Sequence, residues 1–298
     1  METGPFEATA IDAYPSKSAW DASAAELVGT MLHRWHLTAG EAFVGGEAAS
    51  VLRVTTQDGT AAVLKVGFPH EEAVWEAVAL EAWGPALAPR VLRQDAWTWA
   101  LLLEDVRPGI PLARAAMPAR DALVVGAELY GRLSARAVPP GILLLEEAMA
   151  PFVARAAASA PADDELLRAG LAEFEVLLQL PGGDALLHGD YNPGNVLQSA
   201  EGWVAIDPKP VRGDPAFDLW PLVSQLGTVW SEPHPEAVLA RQLDVVCSVA
   251  GVDRDRSARW GFARSALNIS WFRADGDARA AGAAEREAAA WRAVAGLG

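Results

Sequence analysis

The chain has 298 residues, 51% of them hydrophobic, and 24 basic against 39 acidic side chains give a formal net charge of −15. A chain of this size and apolar content outgrows one small core, so we predict a globular protein of two lobes. The negative charge argues against nucleic acid or an anionic membrane surface as the main partner. It is compatible with a cationic ligand, although general solubility explains it equally well.

Cysteine usage and the N-terminus bear on the compartment. Cys247 is the only cysteine, which excludes an intramolecular disulfide and a metal site of several cysteines and fits a reducing interior. Residues 1–14 lack the basic region and apolar core of a signal peptide, and no run approaches the roughly 20 apolar residues that span a bilayer. We predict a cytoplasmic protein, without a nucleic-acid or membrane partner, that is a monomer or weak dimer.

The first third of the chain has the pattern of a small β-rich lobe. Two short apolar runs flank Asp58-Gly59, a pair that favours a tight hairpin turn. Helix-forming residues follow, and after them come two further apolar runs with a break near Gln94-Asp95. The predicted elements are strands over 48–56 and 61–67, a helix over 70–83, and two strands within 89–105.

The remainder of the chain has a mostly helical pattern. Two short β-like pieces, 185–188 and 202–206, interrupt it, and the stretch 274–286 reads as a loose connection or a frayed helix. Asp214 followed by Pro215 is typical of a helix start. The predicted helices cover about 118–136, 147–159, 163–180, 215–229, 235–249, 254–272 and 284–294.

These elements define a fold class and two units. We predict an α+β fold in which residues 1–104 form an N-terminal lobe with a small antiparallel sheet and one main helix. Residues 105–298 form a larger, mostly helical C-terminal lobe.

The stretch "LLHGDYNPGNVL", residues 186–197, carries the strongest candidate chemistry. Asp190 leaves a β-like run, and Asn195 follows five positions later across the bend of Pro193-Gly194. Such a loop can aim a carboxylate at a substrate hydroxyl and an amide at a metal ion, the two tasks of a phosphoryl-transfer loop. Asp207 ends the next β-like run, and its carboxylate is a hard ligand of the kind that Mg²⁺ takes alongside phosphates.

Each of these residues alone also fits turn chemistry, because Asp and Asn commonly cap turns. Their combination favours a functional site. His188 is interpreted as a brace of the loop, because no G-x-S-x-G serine exists for it to activate.

Lys65 is unusual because the chain has only three lysines against 21 arginines. It lies within an apolar predicted strand, where a buried ammonium requires an acidic partner. Glu72 and Glu76 on the following predicted helix are the candidates, and a strand lysine paired with a helix glutamate is the arrangement that kinases use on α- and β-phosphates. The alternative is an outward-facing lysine on an exposed sheet face.

Other residues fit the surroundings of a nucleotide. Gly45, Gly46 and Ser50 lie in a small-residue loop whose backbone N–H groups can approach anions, although an ordinary hairpin turn explains them equally well. Lys209, two residues after Asp207, supports the site as a second lysine near the phosphates.

A base-binding slot is the next expectation. Trp97, Trp99 and the segment ending in Glu104 are candidates to line an adenine slot between the lobes, although alternating aromatics are more often core residues. Asp218 is predicted to buttress the catalytic loop without a chemical role.

The segments "HGDYNPGNVL" and "AIDPKPVRGDPAFD", together with "VLKVG" upstream, resemble the aminoglycoside phosphotransferase family of antibiotic kinases. The resemblance is strongest to its streptomycin and hydroxyurea kinase branch. It implies a protein-kinase-like fold with Mg²⁺-ATP as the phosphoryl donor. Carried over to this sequence, Asp190 is the catalytic base, Asn195 and Asp207 are the magnesium ligands, and Lys65 with Glu76 holds the phosphates.

The sequence departs from the family pattern in two places. Tyr191 and Asn192 replace the Leu-His that more usually follows His-Gly-Asp, which leaves the acceptor open. Pro208-Lys209 follows the metal aspartate in place of Phe-Gly, and no Ala-Pro-Glu comes after it, so we do not expect activation of the protein-kinase type.

The expected function is ATP- and Mg²⁺-dependent transfer of the γ-phosphate to a hydroxyl of a small cationic antibiotic, an aminoglycoside such as streptomycin. The alternatives are a kinase of another small molecule, namely a peptide antibiotic, an amino sugar or a choline-like metabolite, and a catalytically dead nucleotide-binding protein. The C-terminal helices form the acceptor site in this family. The candidate acceptor residues here, which also fit a solvated polar turn, are Trp271, Asp275, Asp277 and Glu285.

Overall fold

The structure is a computed structural model that describes residues 17–43, 49–68 and 74–298. Gly45, Gly46 and Glu72, which the sequence made candidates for nucleotide binding or for pairing with Lys65, lie outside the described residues. Within the described ranges, no helix is both long enough and apolar enough to cross a bilayer.

An antiparallel five-stranded sheet dominates the N-terminal part, with strand order β1-β2-β3-β5-β4. Its alternating residues Leu52, Val54, Leu64, Val66 and Leu102 pack on helix α1 through Met31 and form a small separate core. The hairpin predicted around Asp58-Gly59 is confirmed. The elements of this part are α1 (Lys17–Arg34), β1 (Thr38–Ala42), β2 (Ala49–Thr55), β3 (Ala61–Gly67), α2 (Glu76–Trp83), β4 (Val91–Asp95) and β5 (Ala100–Glu104).

The sequence missed α1 and β1. The strand β1 is fully exposed along its length, so it has no apolar alternation to detect. The helix α1 has alanines and polar residues on most faces, and it is held through the few large side chains that meet the sheet, such as Met31. Helix α2 ends at Trp83 as predicted, but it begins at Glu76, after a turn at Val74 and Trp75.

The predicted pair of strands within 89–105 is confirmed, and the turn between them is longer than expected. The Asp95 carboxylate accepts the backbone N–H groups of Trp97 and Thr98, at 3.0 Å each, and so ends β4. Trp97 is 93% exposed at this turn, so its predicted place in an adenine slot is wrong. Trp99, with φ +55°, lines a cleft together with Lys65 and Leu101.

The C-terminal part is helical with two small sheets. Strands β7 and β9 correspond to the two predicted β-like pieces, but they do not pair with each other: β7 pairs with β10, and β9 pairs with β8, which pairs with β6. The strands are β6 (Pro108–Pro111), β7 (Ala185–Leu187), β8 (Val196–Ser199), β9 (Gly202–Ala205) and β10 (Val211–Gly213). The helices are α3 (Ala119–Ser134), α4 (Leu145–Ser159), α5 (Glu165–Gln179), α6 (Leu219–Gln225), α7 (Pro235–Ala250), α8 (Arg254–Ala274) and α9 (Ala278–Val294).

Two helix predictions differ from the structure for local reasons. The predicted helix 215–229 is split, because Asp214 caps only a short 3-10 turn and Gly227 with φ +77° ends the region after α6. The predicted loose segment 274–286 is a tight turn followed by α9, since the Asp277 carboxylate caps that helix by accepting the N–H of Ala280.

One apolar core runs through the C-terminal part, with Phe174, Phe217, Trp260 and Trp291 fully buried at its centre. Helix α2 belongs to this core through Leu80 and Trp83, although it follows the sheet in the chain. Helix α2 therefore joins the sheet to the helical part, and Glu76 in its first turn contacts Lys65 of the sheet. The α+β arrangement predicted from the sequence is confirmed, and the boundary at residues 104 and 105 stays a prediction.

Candidate active site

The loop between β7 and β8, residues 188–195, is held by the carboxylate of Asp218. This carboxylate is fully buried and accepts the backbone N–H groups of His188 at 2.6 Å and Gly189 at 2.9 Å. Burial raises the pKa of Asp218 to about 6, against the opposing charge of Arg264. The structure thus places Asp218 where the predicted buttress would act.

His188 connects the loop to the segment that carries Asp207. Its Nε2 donates to the carbonyl of Ile206 at 3.0 Å, its Nδ1 accepts the N–H of Asp190 at 3.3 Å, and its ring stacks on Trp83 with 5.7 Å between ring centroids. Burial lowers the pKa of His188 to about 4, so the ring is neutral at pH 7. A neutral ring with both nitrogens occupied fits a brace and leaves no nitrogen free to act as a base.

Gly189 allows two segments of the site to touch. Its φ is +79°, and a Cβ at this position would lie 1.9 Å from the carbonyl oxygen of Lys209. The backbone N–H of Lys209 in turn donates to the carbonyl of His188 at 2.8 Å. Only glycine combines this backbone conformation with so close an approach.

Asp190 is one-third exposed and is oriented by two amides. Asn192 Nδ2 donates to Asp190 Oδ1 at 3.0 Å, and Asn195 Nδ2 donates to the Asp190 carbonyl at 3.0 Å. Asn192 also accepts the N–H groups of Gly194 and Asn195, at 2.9 and 3.2 Å, and so shapes the bend. The carboxylate is held in place while one side stays open to an acceptor.

Sequence reasoning gave Asn192 no role, although the side-chain turn that it forms is typical of Asn before Pro-Gly. Tyr191 is fully buried, and its hydroxyl donates to the carbonyl of Gly126 at 2.7 Å. The departure at Tyr191 is therefore a matter of core packing beneath the loop, while the departure at Asn192 reaches the carboxylate of Asp190.

Lys65 pairs with carboxylates from two other elements. Its Nζ lies 2.7 Å from both Glu76 oxygens and 2.5 Å from Asp207 Oδ1. Lys65 is 12% and Glu76 is 6% exposed. Burial alone would lower the pKa of Lys65, but the charges of Glu76 and Asp207 outweigh it and raise the pKa. The structure thus pairs Lys65 with Glu76, and the alternative of an exposed lysine is wrong.

Asp207 and Asn195 are the two candidate metal ligands. The backbone N–H of Ile206 donates to the carbonyl of Asn195 at 2.9 Å, which keeps the two residues on neighbouring segments. Asp207, with φ +55°, presents a half-exposed carboxylate. Burial acts to raise the pKa of Asp207, but the Lys65 charge and hydrogen bond more than offset it, so the pKa is lowered and the group is ionised.

These donors fit Mg²⁺. Both supply hard oxygens, one from a carboxylate and one from a side-chain amide. A site with two protein ligands suits Mg²⁺, which usually keeps waters and completes its octahedron with substrate phosphates.

Of the three further candidates, Lys209 reaches this centre, while Ser50 and Glu104 have other contacts. Lys209 Nζ is 3.8 Å from Asp190 Oδ2. Ser50 pairs with Val66 in the sheet, so its side chain is on the α1 face, opposite to that of Lys65. The Glu104 carboxylate accepts the N–H of Arg90 at 3.2 Å, and the Glu104 backbone donates its N–H to the Arg90 carbonyl at 3.0 Å, so both groups join the end of β5 to the residue before β4.

The acceptor candidates gather at the turn between α8 and α9. Trp271 packs edge-on against Phe152, Asp275 ends α8, Asp277 caps α9, and Glu285 accepts from Arg273 at 2.7 Å. None of the contacts seen among the described residues joins these four to the loop between β7 and β8.

Helix α8 does reach the loop between β7 and β8, about two turns before Trp271. Arg264 donates to the carbonyl of Gly189 at 3.4 Å and to that of Phe217 at 3.2 Å. Trp271 is seven residues beyond Arg264, or about 10 Å along the helix axis. The distance of about 10 Å between Arg264 and Trp271 along the helix is similar to the length of one small molecule.

Comparison with known proteins agrees with this geometry. A family model described as aminoglycoside/hydroxyurea antibiotic resistance kinase matches residues 34–276. The streptomycin 6-kinase of Streptomyces glaucescens is 38% identical over 268 residues, 87% of this chain and 86% of that relative. The hydroxyurea phosphotransferase of Kitasatospora aureofaciens is 36% identical over 257 residues, 84% of this chain and 73% of that relative.

The fold is also shared with a solved structure. A thermostable mutant of an aminoglycoside phosphotransferase, in ternary complex with ADP and hygromycin B, aligns with a TM-score of 0.65 at 15% identity over 91% of this chain and 98% of that one. The predicted protein-kinase-like fold is confirmed, as is the family that the sequence motifs indicated. The chain belongs to the aminoglycoside/hydroxyurea antibiotic resistance kinase family.

Proposed function

We propose that the chain transfers the γ-phosphate of Mg²⁺-ATP to a hydroxyl of a small cationic antibiotic, an aminoglycoside of the streptomycin type. The coarser assignment is established: the protein is a small-molecule O-phosphotransferase whose relatives are antibiotic kinases. The observation that carries the finer proposal is the network joining Lys65, Glu76 and Asp207 beside the loop of Asp190 and Asn195.

Each residue has a distinct task in this mechanism. Asp190 accepts the proton of the acceptor hydroxyl as that oxygen attacks the γ-phosphorus, and Asn192 keeps its carboxylate aimed. Lys65, fixed by Glu76, holds the α- and β-phosphates. Asn195 and Asp207 would hold Mg²⁺, which neutralises charge on the phosphates. Because the transition state is loose, positioning and charge neutralisation supply most of the acceleration.

The nucleotide would bind between the proposed N-terminal lobe, residues 1–104, and the C-terminal lobe, residues 105–298. Support for ATP comes from the ADP named in the related structure and from the Lys65 pairing. The net charge of −15 and the acidic groups Asp275, Asp277 and Glu285 support a cationic acceptor, with Trp271 as a stacking surface. We place the enzyme in the cytoplasm, where its nucleotide is available.

Hydroxyurea is a second candidate acceptor, favoured by the hydroxyurea phosphotransferase that is 36% identical to the chain. It is small and neutral, so it would use Asp190 without the acidic surface at the α8–α9 turn. A catalytically dead protein is disfavoured, because the oriented Asp190 and the complete Lys65 network are both retained.

The test is ADP release from ATP and Mg²⁺ with a panel of acceptors: streptomycin, other aminoglycosides, hydroxyurea, tuberactinomycin-like peptides and simple amino alcohols. Turnover with streptomycin and a product heavier by one phosphate would support the proposal. Turnover with hydroxyurea alone would select the second candidate. The Asp190→Ala variant sets the background, and no acceptor exceeding it would refute both.

A further inference from the structure

The backbone of Lys209 is fixed to the catalytic loop at both of its polar groups. Its N–H donates to the carbonyl of His188 at 2.8 Å, and its carbonyl lies against Gly189 so closely that no side chain fits there. Asp207, two residues before Lys209, has a left-handed backbone conformation that turns the chain back towards the loop. Lys209 thus has a defined position beside Asp190, which its place in the sequence alone does not provide.

The side chain of Lys209 is held much less tightly than its backbone. Its ammonium is 3.8 Å from Asp190 Oδ2, which is beyond hydrogen-bond distance. The side chain of Lys209 is 39% exposed and that of Asp190 is 34% exposed. Lys65 contrasts with it, since that ammonium is 12% exposed and bonded to two carboxylates. Lys65 is committed to its partners, whereas the Lys209 ammonium is partly exposed and beyond hydrogen-bond distance of Asp190, so it can move to another contact.

The charges at this point call for a cation. The γ-phosphoryl group must lie between Asp190, which meets the acceptor hydroxyl, and Asp207, which would hold the metal. Both carboxylates repel it. The Lys209 ammonium is 3.8 Å from Asp190 Oδ2, and its charge also acts on Asp207, so it lies near both carboxylates. A fixed cation where negative charge gathers is among the strongest devices for accelerating phosphoryl transfer.

We propose that Lys209 is a catalytic residue whose ammonium leaves Asp190 to contact the γ-phosphoryl group of bound ATP and stays on it during transfer. This rests on the proposed function. In that step the bond from the γ-phosphorus to the β–γ bridging oxygen breaks, and a bond from the phosphorus to the acceptor oxygen forms. The acceptor proton goes to Asp190, the bonding electrons leave with ADP, and Lys209 stays protonated throughout.

The test compares nucleotides that differ in the γ-phosphate. Titration calorimetry with Mg²⁺ measures the affinities for AMP-PNP and ADP in the wild type, Lys209→Met and Lys209→Gln. We expect either substitution to weaken AMP-PNP about tenfold and ADP less than twofold, because one charge-assisted contact is lost. Arg212→Met is the matched control, since this arginine is three residues away and pairs with Asp184 at the surface; it should change neither affinity.

Kinetics give a second readout. We expect Lys209→Met to lower kcat about 100-fold with the acceptor KM within a factor of two, and Lys209→Arg to recover part of the loss. An unchanged ratio of AMP-PNP to ADP affinity in both Lys209→Met and Lys209→Gln would overturn the proposal, whatever happens to kcat. Failure of the proposed function is a separate result, namely no turnover of any acceptor by the wild type, and the affinity ratio is measured without an acceptor.

Discussion

Lys65 on the sheet and the loop between β7 and β8 in the helical part, which carry the proposed phosphate contact and the proposed catalytic carboxylate, are held by different interactions. Lys65 is fixed by opposite charges, one from α2 and one from Asp207. The loop is fixed by backbone N–H groups donated to the buried Asp218 and by the neutral ring of His188. The loop is therefore preorganised by hydrogen bonds to buried groups and by the stacking of His188 on Trp83, while the position of Lys65 depends on the charge of Asp207 from the helical part.

This difference has a consequence for nucleotide binding. Asp207 serves Lys65 in the structure and is also the proposed metal ligand. The two interactions share one carboxylate, so metal binding and the position of Lys65 are coupled. The loop is less affected by such sharing. Asp218, which holds its backbone, is fully buried and is not a metal candidate, and Asn195 can offer its amide oxygen to a metal while its Nδ2 stays on the Asp190 carbonyl. The two regions should thus respond differently to substitution.

The largest effect should come from breaking the loop with Gly189→Ala. The new Cβ would overlap the Lys209 carbonyl at 1.9 Å, in addition to the strain of a φ of +79°. We expect the free energy of unfolding to fall by about 5 kcal/mol and kcat to fall more than 100-fold. Urea unfolding and the ADP-release assay measure the two quantities.

The control is Gly251→Ala, at a similar φ of +71° but with no atom within 4 Å of the added Cβ. Strain alone should lower its stability by only about 1 kcal/mol, with activity retained. Equal losses in the two variants would show that the contact between Gly189 and Lys209 does not support the loop.

Substitution of the lysine pair should have the next largest effect and should separate stability from activity. Lys65→Met leaves the Glu76 carboxylate buried without its cation, so we expect a loss of about 3 kcal/mol. Adding Glu76→Gln should restore most of this stability, because no buried charge then remains. ATP turnover should stay at least 100-fold low in the double variant, since the phosphate contact is still missing.

Thermal unfolding and the ATP dependence of turnover measure this pair of effects. If the double variant is as unstable as Lys65→Met, the charge pairing is not what holds Lys65. If either variant keeps wild-type ATP kinetics, Lys65 is not the phosphate lysine.

The contrast between the two regions also explains what could be predicted from the sequence. The loop residues Asp190 and Asn195 are close in the chain, so their spacing and the Pro-Gly bend indicated the site directly. Lys65 and Asp207 are 142 positions apart, and only the chemical need of a buried lysine for a partner linked this lysine to carboxylates. That reasoning favoured Glu76 or Glu72 and did not reach the third partner, Asp207.

Features without a local signal were missed. The exposed strand β1 has no alternation to read, and the role of Asn192 depends on a hydrogen bond to Asp190 that also requires the loop's final shape. Trp97 was misjudged for the opposite reason. Its spacing from Trp99 matches a strand, but Asp95 ends β4 by accepting the next N–H groups and turns Trp97 outward.

The neutral ring of His188 should make stability depend on pH, with a smaller effect than the Lys65 substitutions. Burial lowers the pKa of His188 to about 4 from 6.5, so between these values the unfolded chain takes up a proton that the native ring refuses. The stabilisation associated with neutral His188 is complete above pH 6.5 and is lost as the pH falls towards 4. Comparing the wild type with His188→Asn isolates the contribution of His188 to this pH dependence. Asp218, whose raised pKa has the opposite effect, titrates in both proteins.

We expect the stability advantage of the wild type over His188→Asn to shrink by roughly 2 kcal/mol between pH 7 and pH 4, measured by urea unfolding at each pH. A constant difference would mean that the ring titrates in the folded protein as it does in the unfolded chain. The Lys65 network should contribute little to this difference, because it is the same in the wild type and in His188→Asn.

The smallest effect concerns Asp277, whose carboxylate caps α9 and is also proposed to face a cationic acceptor. Asp277→Ala removes both the cap and the charge, and we expect it to lower stability by about 1 kcal/mol. Asp277→Asn keeps a capping oxygen, so its stability should stay within about 0.5 kcal/mol of the wild type. Both variants should raise the KM for a cationic acceptor two- to threefold, as expected for an exposed charge at the rim of a binding site. An unchanged KM in Asp277→Asn would leave Asp277 with the helix cap alone and would remove it from the acceptor surface.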